Sequence, residues 1–273
     1  MADISAKDVM ALRNETGLAM MECKKALIEM NGDVEAAKDH LRKKLKGKMD
    51  TRTDRVAGEG RVAVSVNDSG AAIVEIKAET DFTAKNDQFI AATDKIAQMA
   101  LAQGEGAVEP TDEMKATIDE IRISTGENAS IGRIHKVSKG DGDTFGAYVH
   151  HDGKTGVLLH AHAESGSDVA DDVLRQICMH ITAAVPRPLG VTPDEIPAEL
   201  VEKERKFRIE QAVESGKPQE IAEKMVEGGM RKFYSEIALL EQDFVMDPSK
   251  KIKDLIGGAT IKAFYRWQVG EEA

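Results

Sequence analysis

Aromatic residues are scarce in this chain, only 4% of 273 positions. Cysteine is scarcer. Cys23 and Cys178 stand far apart, each inside a helix-like segment. They form neither a CxxC pair nor a disulfide framework, a usage that suits a reducing cytoplasm. An excess of basic charge is also lacking, since 37 Lys+Arg face 48 Asp+Glu for a net charge of -11. That opposes a mainly electrostatic nucleic-acid binder, which needs a basic face to release counterions from phosphate. No direct nucleic-acid contact is therefore expected. No apolar run approaches the roughly 20 residues of a membrane span. The opening MADISAKDVM lacks the basic-then-apolar order of an export signal. Neither membrane nor export is expected. There is no GxxxxGK[ST] phosphate loop, and the GEG at Gly58 to Gly60 is too little for a dinucleotide turn. DGDTFG has the look of a calcium loop but places Phe145 where a third oxygen ligand belongs. No Ser/His/Asp arrangement is legible from spacing.

What is present reads as small units. Hydrophobic residues make up 41% of the chain and charged residues 31%, a balance that suits small domains or exposed helices better than one large core. Residues 1–45 read as three short helices. Ser5 caps the first and Gly17 ends it. LAMMECKKALIEM is the second, stopped by Asn31-Gly32. Asp33 caps the third, where Val34, Ala37 and Leu41 keep helical spacing. The basic stretch KKLKGKMDTRTDRVAGEG follows. A charge run is usually a solvated face, so residues 46–60 are expected to be a linker rather than a binding patch.

The core reads as a duplication. RVAVSV alternates Val62, Val64 and Val66, NDSG turns, and AAIVEIKA returns. The helix QFIAATDKIAQMALA follows, then a loop over EGAVEPTDE, a second helix over MKATIDEIRIS and a strand over IGRIHKV. TFGAYVH, the turn HDGK, TGVLLHAHA, the helix SDVADDVLRQICMHITAA and the strand ATIKAFYRWQV repeat that order. An insertion at about 194–240 interrupts the second copy. Its two helices are joined by a tight turn at Gly216 and Pro218, so they lie antiparallel as a projecting hairpin, an arm for a partner or a spacer. The expected fold class is α+β. Residues 1–45 form a three-helix module, 61–140 and 141–273 are the two core subdomains of antiparallel sheet plus helices, and the helical hairpin is inserted in the second.

Two constellations could carry chemistry. His160 and His162 alternate on one strand, so they share a face, with His150 and His151 before the preceding turn and His180 on the next helix. A metal-dependent enzyme could use them. Spaced histidines without fixed companions are a weak motif, and histidines on an exposed or partner-facing side of the sheet are the preferred reading. No metal or cofactor is expected. The other is AETDFTAKND, where Phe82 sits in a polar loop. Pattern alone slightly favours Asp81 capping a short helix, with Phe82 stapling its first turn to the core. The alternative is an exposed aromatic that enters a partner's pocket.

LRNETGLAMMECKKAL with NGDVEAA and LRKK, then ETDFTAKND, GENASIGR, SGKPQEIAEKMVEG and QDFVMDPSK occur in order along nearly the whole chain. In these motifs the chain resembles the elongation factor Ts family, the bacterial guanine-nucleotide exchange factors of elongation factor Tu. The resemblance implies that residues 1–45 are a ubiquitin-associated-like module and the inserted hairpin a coiled coil. It implies a protein without covalent chemistry of its own, partnered with GDP-bound and nucleotide-free elongation factor Tu in translation elongation. Thr80, Asp81, Phe82 and Thr83 match the segment implicated in displacing magnesium from that partner, with Phe82 as the wedging aromatic. Lys24, Gly126 and His150 match further partner contacts. The family commonly has valine where Thr83 stands, an Asn-containing sequence in place of KAE, and an alanine-and-lysine run in place of MDTRTDR. Some members continue beyond the equivalent of RWQVGEEA with a further helical segment. A helical binding module acting alone remains the rival suggested by residues 1–45.

Overall fold

The computed structural model describes residues 4–50, 54–163, 169–216 and 218–271. The N-terminal module is made of α1 (Ala6–Thr16), α2 (Met20–Glu29) and α3 (Val34–Asp50). Ser5 accepts from the Asp8 amide and Asp33 from the Ala36 amide, so each hydroxyl or carboxylate occupies an otherwise unsatisfied donor at a helix start. Leu12, Cys23, Leu27, Ala37 and Leu41 fill the space between the three helices. Helix α3 runs through 46–50, so the first part of the expected linker is helical. Nothing in KGKMD stops a helix. A single interior glycine such as Gly47 costs only about 1 kcal/mol against alanine.

The first lobe of the core has β1 (Glu59–Asn67), β2 (Gly70–Ala78), α4 (Asp81–Ala84), α5 (Asp87–Ala100), β3 (Gly106–Ala107), α6 (Asp112–Thr125) and β4 (Ala129–Ser138). Its antiparallel sheet has the order β1-β2-β4-β3. The loop expected over EGAVEPTDE therefore includes a two-residue edge strand on β4. The second lobe has β5 (Asp143–Val149), β6 (Thr155–Ala163), α7 (Asp171–Ala183) and a helical pair, α8 (Ala198–Glu214) and α9 (Gln219–Ile237). A small ribbon, β7 (Asp243–Phe244) with β8 (Asp247–Lys251), the short α10 (Ile252–Leu255) and β9 (Ala259–Gln268) complete it. Its antiparallel sheet is β5-β6-β9. Hairpin, helix and closing strand thus recur. So does an irregularity, because β2 bulges against β4 between Val74 and Ile76, and β6 against β9 between His160 and Ala161.

The strand period decides which residue meets which layer. On β2, Val74, Ile76 and Ala78 face Phe89 and Ile96 of α5 and Met114, Ile118 and Ile121 of α6. Ala71 and Ile73 face the other way, toward Leu158 of β6 in a second apolar layer. On β6, Val157, Leu159 and Ala161 pack under Leu174, Ile177 and Ile181 of α7. The core is a helix–sheet–sheet–helix sandwich, and both central strands are covered on both faces. The sheets approach closely enough that a Cβ on Gly156 would lie 2.4 Å from Val62 Cγ1. Glu75 sits at the bulge of β2, fully buried. It accepts from Arg133 Nε at 2.6 Å and from the Gly270 amide at 3.2 Å. The Arg133 guanidinium lies 4.7 Å from the Trp267 ring centre. This ion pair ties the first sheet to the end of β9. The two helices of the inserted pair close on Ala212, Val226, Met230, Phe233 and Ile237.

Candidate partner-binding site

The first lobe's sheet ends where Ala78 pairs with Ala129. Beyond that pair, side chains replace the ladder. The Glu127 carboxylate accepts from the Thr80 amide at 3.2 Å and from Thr80 Oγ1 at 2.8 Å. Thr80 Oγ1 in turn accepts from the Thr83 amide at 3.3 Å. Thr80, not Asp81, is therefore the cap of α4, because its extended backbone (φ -126, ψ 156) aims the hydroxyl back at the first turn. Asp81 lies one residue inside the helix and receives Lys85 Nζ at 2.7 Å. That lysine, aided by Lys154, holds its carboxyl below the usual aspartate range against the opposing effect of desolvation.

With the cap at Thr80, the helix turns Phe82 outward and Thr83 inward. Phe82 is 82% exposed, and Thr83 and Ala84 are buried. Phe82 is not a staple on the core; Phe89, one helix later, is the aromatic that the core takes in, at 1% exposure.

The other sequence candidates fall around this corner unequally. Gly126 ends α6 in the left-handed conformation (φ 73), which a glycine adopts without penalty, and its amide bonds to the Arg122 carbonyl. It directly precedes Glu127, so the structure joins it to Thr80–Thr83. His150 lies in the turn between β5 and β6, where its Nδ1 is 3.2 Å from the Tyr148 hydroxyl. That turn reaches β1 through the Val62 amide to the Gly153 carbonyl at 2.8 Å and through Lys154 to Glu59 at 2.6 Å. Glu59 pairs with Ala78, two residues before Thr80, which brings the Lys154 end of the turn toward the Phe82 corner. Lys24 stands exposed on α2 in the separate N-terminal module. That module docks on α5 and α6. A Cβ on Gly17 would lie 3.4 Å from Ser124 Cβ, Ile123 packs against the module's core, and Arg42 is 3.8 Å from Glu120.

The histidines do not gather into one site. His160 Nε2 and His162 Nδ1 each lie 3.1 Å from a different oxygen of Asp143, and Phe145 stacks on His160. Asp143 is the carboxylate that inspection of the sequence missed, although β5 pairs it directly with His162. His180 is elsewhere, buried on α7. It bonds through Nε2 to Gln242 at 2.9 Å and accepts the Val245 amide on Nδ1. Those two bonds fix the neutral tautomer, and burial pulls its pKa below the usual value. Among the described residues no group of three or more His, Cys, Asp or Glu is arranged to hold a metal ion. Burial also pushes the Cys178 thiol up to about 12, which leaves it inert as a nucleophile. No helix among the described residues is long and apolar enough to cross a membrane.

A family model described as elongation factor TS matches residues 79–271, from the base of the Phe82 corner through the closing strand. The elongation factor Ts of Pasteurella multocida is 41% identical over 277 residues, covering 99% of this chain and 93% of the relative. The chain belongs to the elongation factor Ts family. Two further members of that family show the same span. The elongation factor Ts of Photobacterium profundum is 40% identical over 277 residues, and that of Yersinia pestis is 41% identical over 279, each covering 99% of this chain and 93% of the relative. As a member of the elongation factor Ts family the chain is a translation elongation factor. Glu127, which sequence reasoning did not single out, lies in the GENASIGR motif beside Gly126. Adjacency to that glycine was the one signal available for it.

Proposed function

We propose that the chain is a guanine-nucleotide exchange factor acting in the cytoplasm on elongation factor Tu. It binds the GDP-bound partner, displaces the partner's magnesium, promotes GDP release and so lets GTP bind. The observation that carries this reading is Phe82, 82% exposed on a helical turn whose start is tied to Glu127. Membership of the elongation factor Ts family supplies the context.

An exchange factor must bind its nucleotide-free partner more tightly than the nucleotide-bound one. Linkage then requires it to weaken nucleotide binding by the same factor. Magnesium is a suitable target because it tolerates little departure from octahedral geometry and bridges phosphate to protein. Phe82 inserts between helices of the partner's nucleotide-binding domain and shifts them. The shift spoils the coordination, the phosphate charge loses compensation, and GDP leaves faster. Asp81 approaches the same region, with Thr80 and Thr83 holding the turn. Gly126 and His150 lie on the flanks of the contact. Lys24 of the N-terminal module, ubiquitin-associated-like in this reading, grips a second part of the partner, and the paired helices α8 and α9 are its coiled coil. No bond is made or broken by this chain, and it needs no cofactor or direct nucleic-acid contact.

Stopped-flow release of a fluorescent GDP analogue from elongation factor Tu tests the proposal. Wild type should accelerate release, and Phe82→Ala should lose most of the acceleration while still binding. Full acceleration by Phe82→Ala would rule out the wedge.

A further inference from the structure

Past the last ladder pair, Ala78 with Ala129, the two strands are held by a reciprocal exchange of carboxylates. Glu127 on the β4 side accepts from the Thr80 amide and hydroxyl at 3.2 and 2.8 Å. Glu79 on the β2 side accepts from the Asn128 amide at 2.6 Å. Each carboxylate thus takes the backbone donor of the residue beside its opposite number. The Asn128 side-chain amide continues the clamp to the Arg55 carbonyl at 2.8 Å, and Arg55 Nη1 lies 3.5 Å from Glu79. A carboxylate accepting an amide and a hydroxyl at once makes charge-assisted bonds, stronger and more directional than neutral ones.

We infer that Glu127 is a positioning residue for the exchange reaction, setting the direction in which Phe82 is presented to the partner. This rests on the wedge reading of Phe82 proposed above. The chain of bonds is short. Glu127 fixes the Thr80 hydroxyl, that hydroxyl caps the Thr83 amide, and Phe82 lies between the two. Helix α4 has only four residues, too few to hold itself in water. Its orientation must come from this cap and from the buried Thr83 and Ala84. Without Glu127 the Thr80 hydroxyl keeps its capping role but loses its anchor to the end of α6. Phe82 then samples several directions, and the partner must select one of them.

The test compares Glu127→Ala, Glu127→Gln, Phe82→Ala and the double variant Glu127→Ala/Phe82→Ala in the full chain. Stimulated GDP release from elongation factor Tu is measured over a range of factor concentrations. Glu127→Ala should lower the maximal rate about tenfold, short of the roughly hundredfold that a 1 Å misplacement of an acting group can cost, with little change in the half-saturating concentration. Glu127→Gln keeps one accepting oxygen and should recover part of that loss. The double variant should be no slower than Phe82→Ala, because Glu127 acts through Phe82. Hydrogen exchange in the free proteins should show faster exchange at the Thr80 and Thr83 amides in Glu127→Ala, with the thermal midpoint near that of wild type. Slow release by Phe82→Ala with full activity in Glu127→Ala would overturn the positioning role and leave the wedge standing. A further loss in the double variant, or unchanged exchange at Thr80, would overturn it too. Full activity in Phe82→Ala would remove the wedge and this role together.

Discussion

Strand β2 leaves the first sheet at Ala78 and turns, through Thr80, into the short helix that presents Phe82. Strand β6, its counterpart in the second lobe, leaves at Ala163, and the next described helix begins at Asp171 behind Ala170, which has no side-chain oxygen to cap with. Both central strands bulge against their closing strand, and both pack a helix on one face and the opposite sheet on the other. The shared plan is the part that buries apolar surface. At the first corner the bonds among Thr80, Thr83 and Glu127 fix a helix start that holds an aromatic away from the core. The same division separates Phe82 from Phe89, seven positions apart, one in water and one in the sandwich. A duplicated scaffold supplies rigidity twice, and the exit turn of the first lobe holds Phe82 exposed.

The largest expected effect separates the two phenylalanines. Phe89→Ala should cost about 3–5 kcal/mol of stability, the usual range for deleting a buried aromatic. Phe82→Ala should stay within about 0.5 kcal/mol, as exposed substitutions do. Urea denaturation of both variants measures this, and similar losses would abolish the distinction between corner and core. Next come the bulges. Glu75→Ala strands the Arg133 guanidinium beside Trp267 and should cost about 3 kcal/mol, the lower end for breaking a buried pair by one partner. His160→Gln, at the bulge of the second lobe, should cost about 1 kcal/mol, the usual size of a single-substitution loss. Equal costs would mean that the two bulges bear equal load.

Acidification sharpens the comparison by a smaller margin. Burial lowers the pKa of His180 in the second lobe below 6.5, against the raising effect of its bond to Gln242. Burial likewise lowers that of His135 in the first lobe, against the nearby Glu105. For a lowered histidine the unfolded chain binds more protons once the pH drops below about 6.5, so stability is full above that value and declines below it. The thermal midpoint should fall between pH 7 and 5.5, and His180→Gln should make that fall shallower. An unchanged slope in the variant would show that His180 titrates alike in both states. Smallest of all, Arg42→Ala breaks a 3.8 Å contact to Glu120 between two exposed side chains. It should cost no more than about 0.5 kcal/mol, so a large loss would mean that the N-terminal module is part of the core's own stability.

Much of the scaffold was legible because its signals are local. Alternating Val62, Val64 and Val66, the asparagine-glycine stop after α2, and the Gly216–Pro218 turn each act within a few residues, and the duplicated order followed from reading them twice. The edge strand β3 escaped notice because two residues carry no period. The end of the third helix was placed too early because a basic run has no stop signal of its own. Asp143 between two histidines was missed because it comes from the neighbouring strand of the sheet.

The sequence by itself determined the helical module, the two sheets with their helices, the paired helices inserted in the second lobe and, through its motifs, the family. Only the tertiary structure decided what Phe82 does with its ring. Two readings of the sequence, Phe82 stapled to the core behind an Asp81 cap or Phe82 left exposed on the loop, place that ring differently, and the local pattern does not choose between them. The cap at Thr80 turns the ring outward, and it is anchored by Glu127, 47 positions away, whose carboxylate takes the Thr80 amide and hydroxyl. A contact of that range exists only after α5 and α6 have packed on the sheet and brought the start of β4 beside the end of β2.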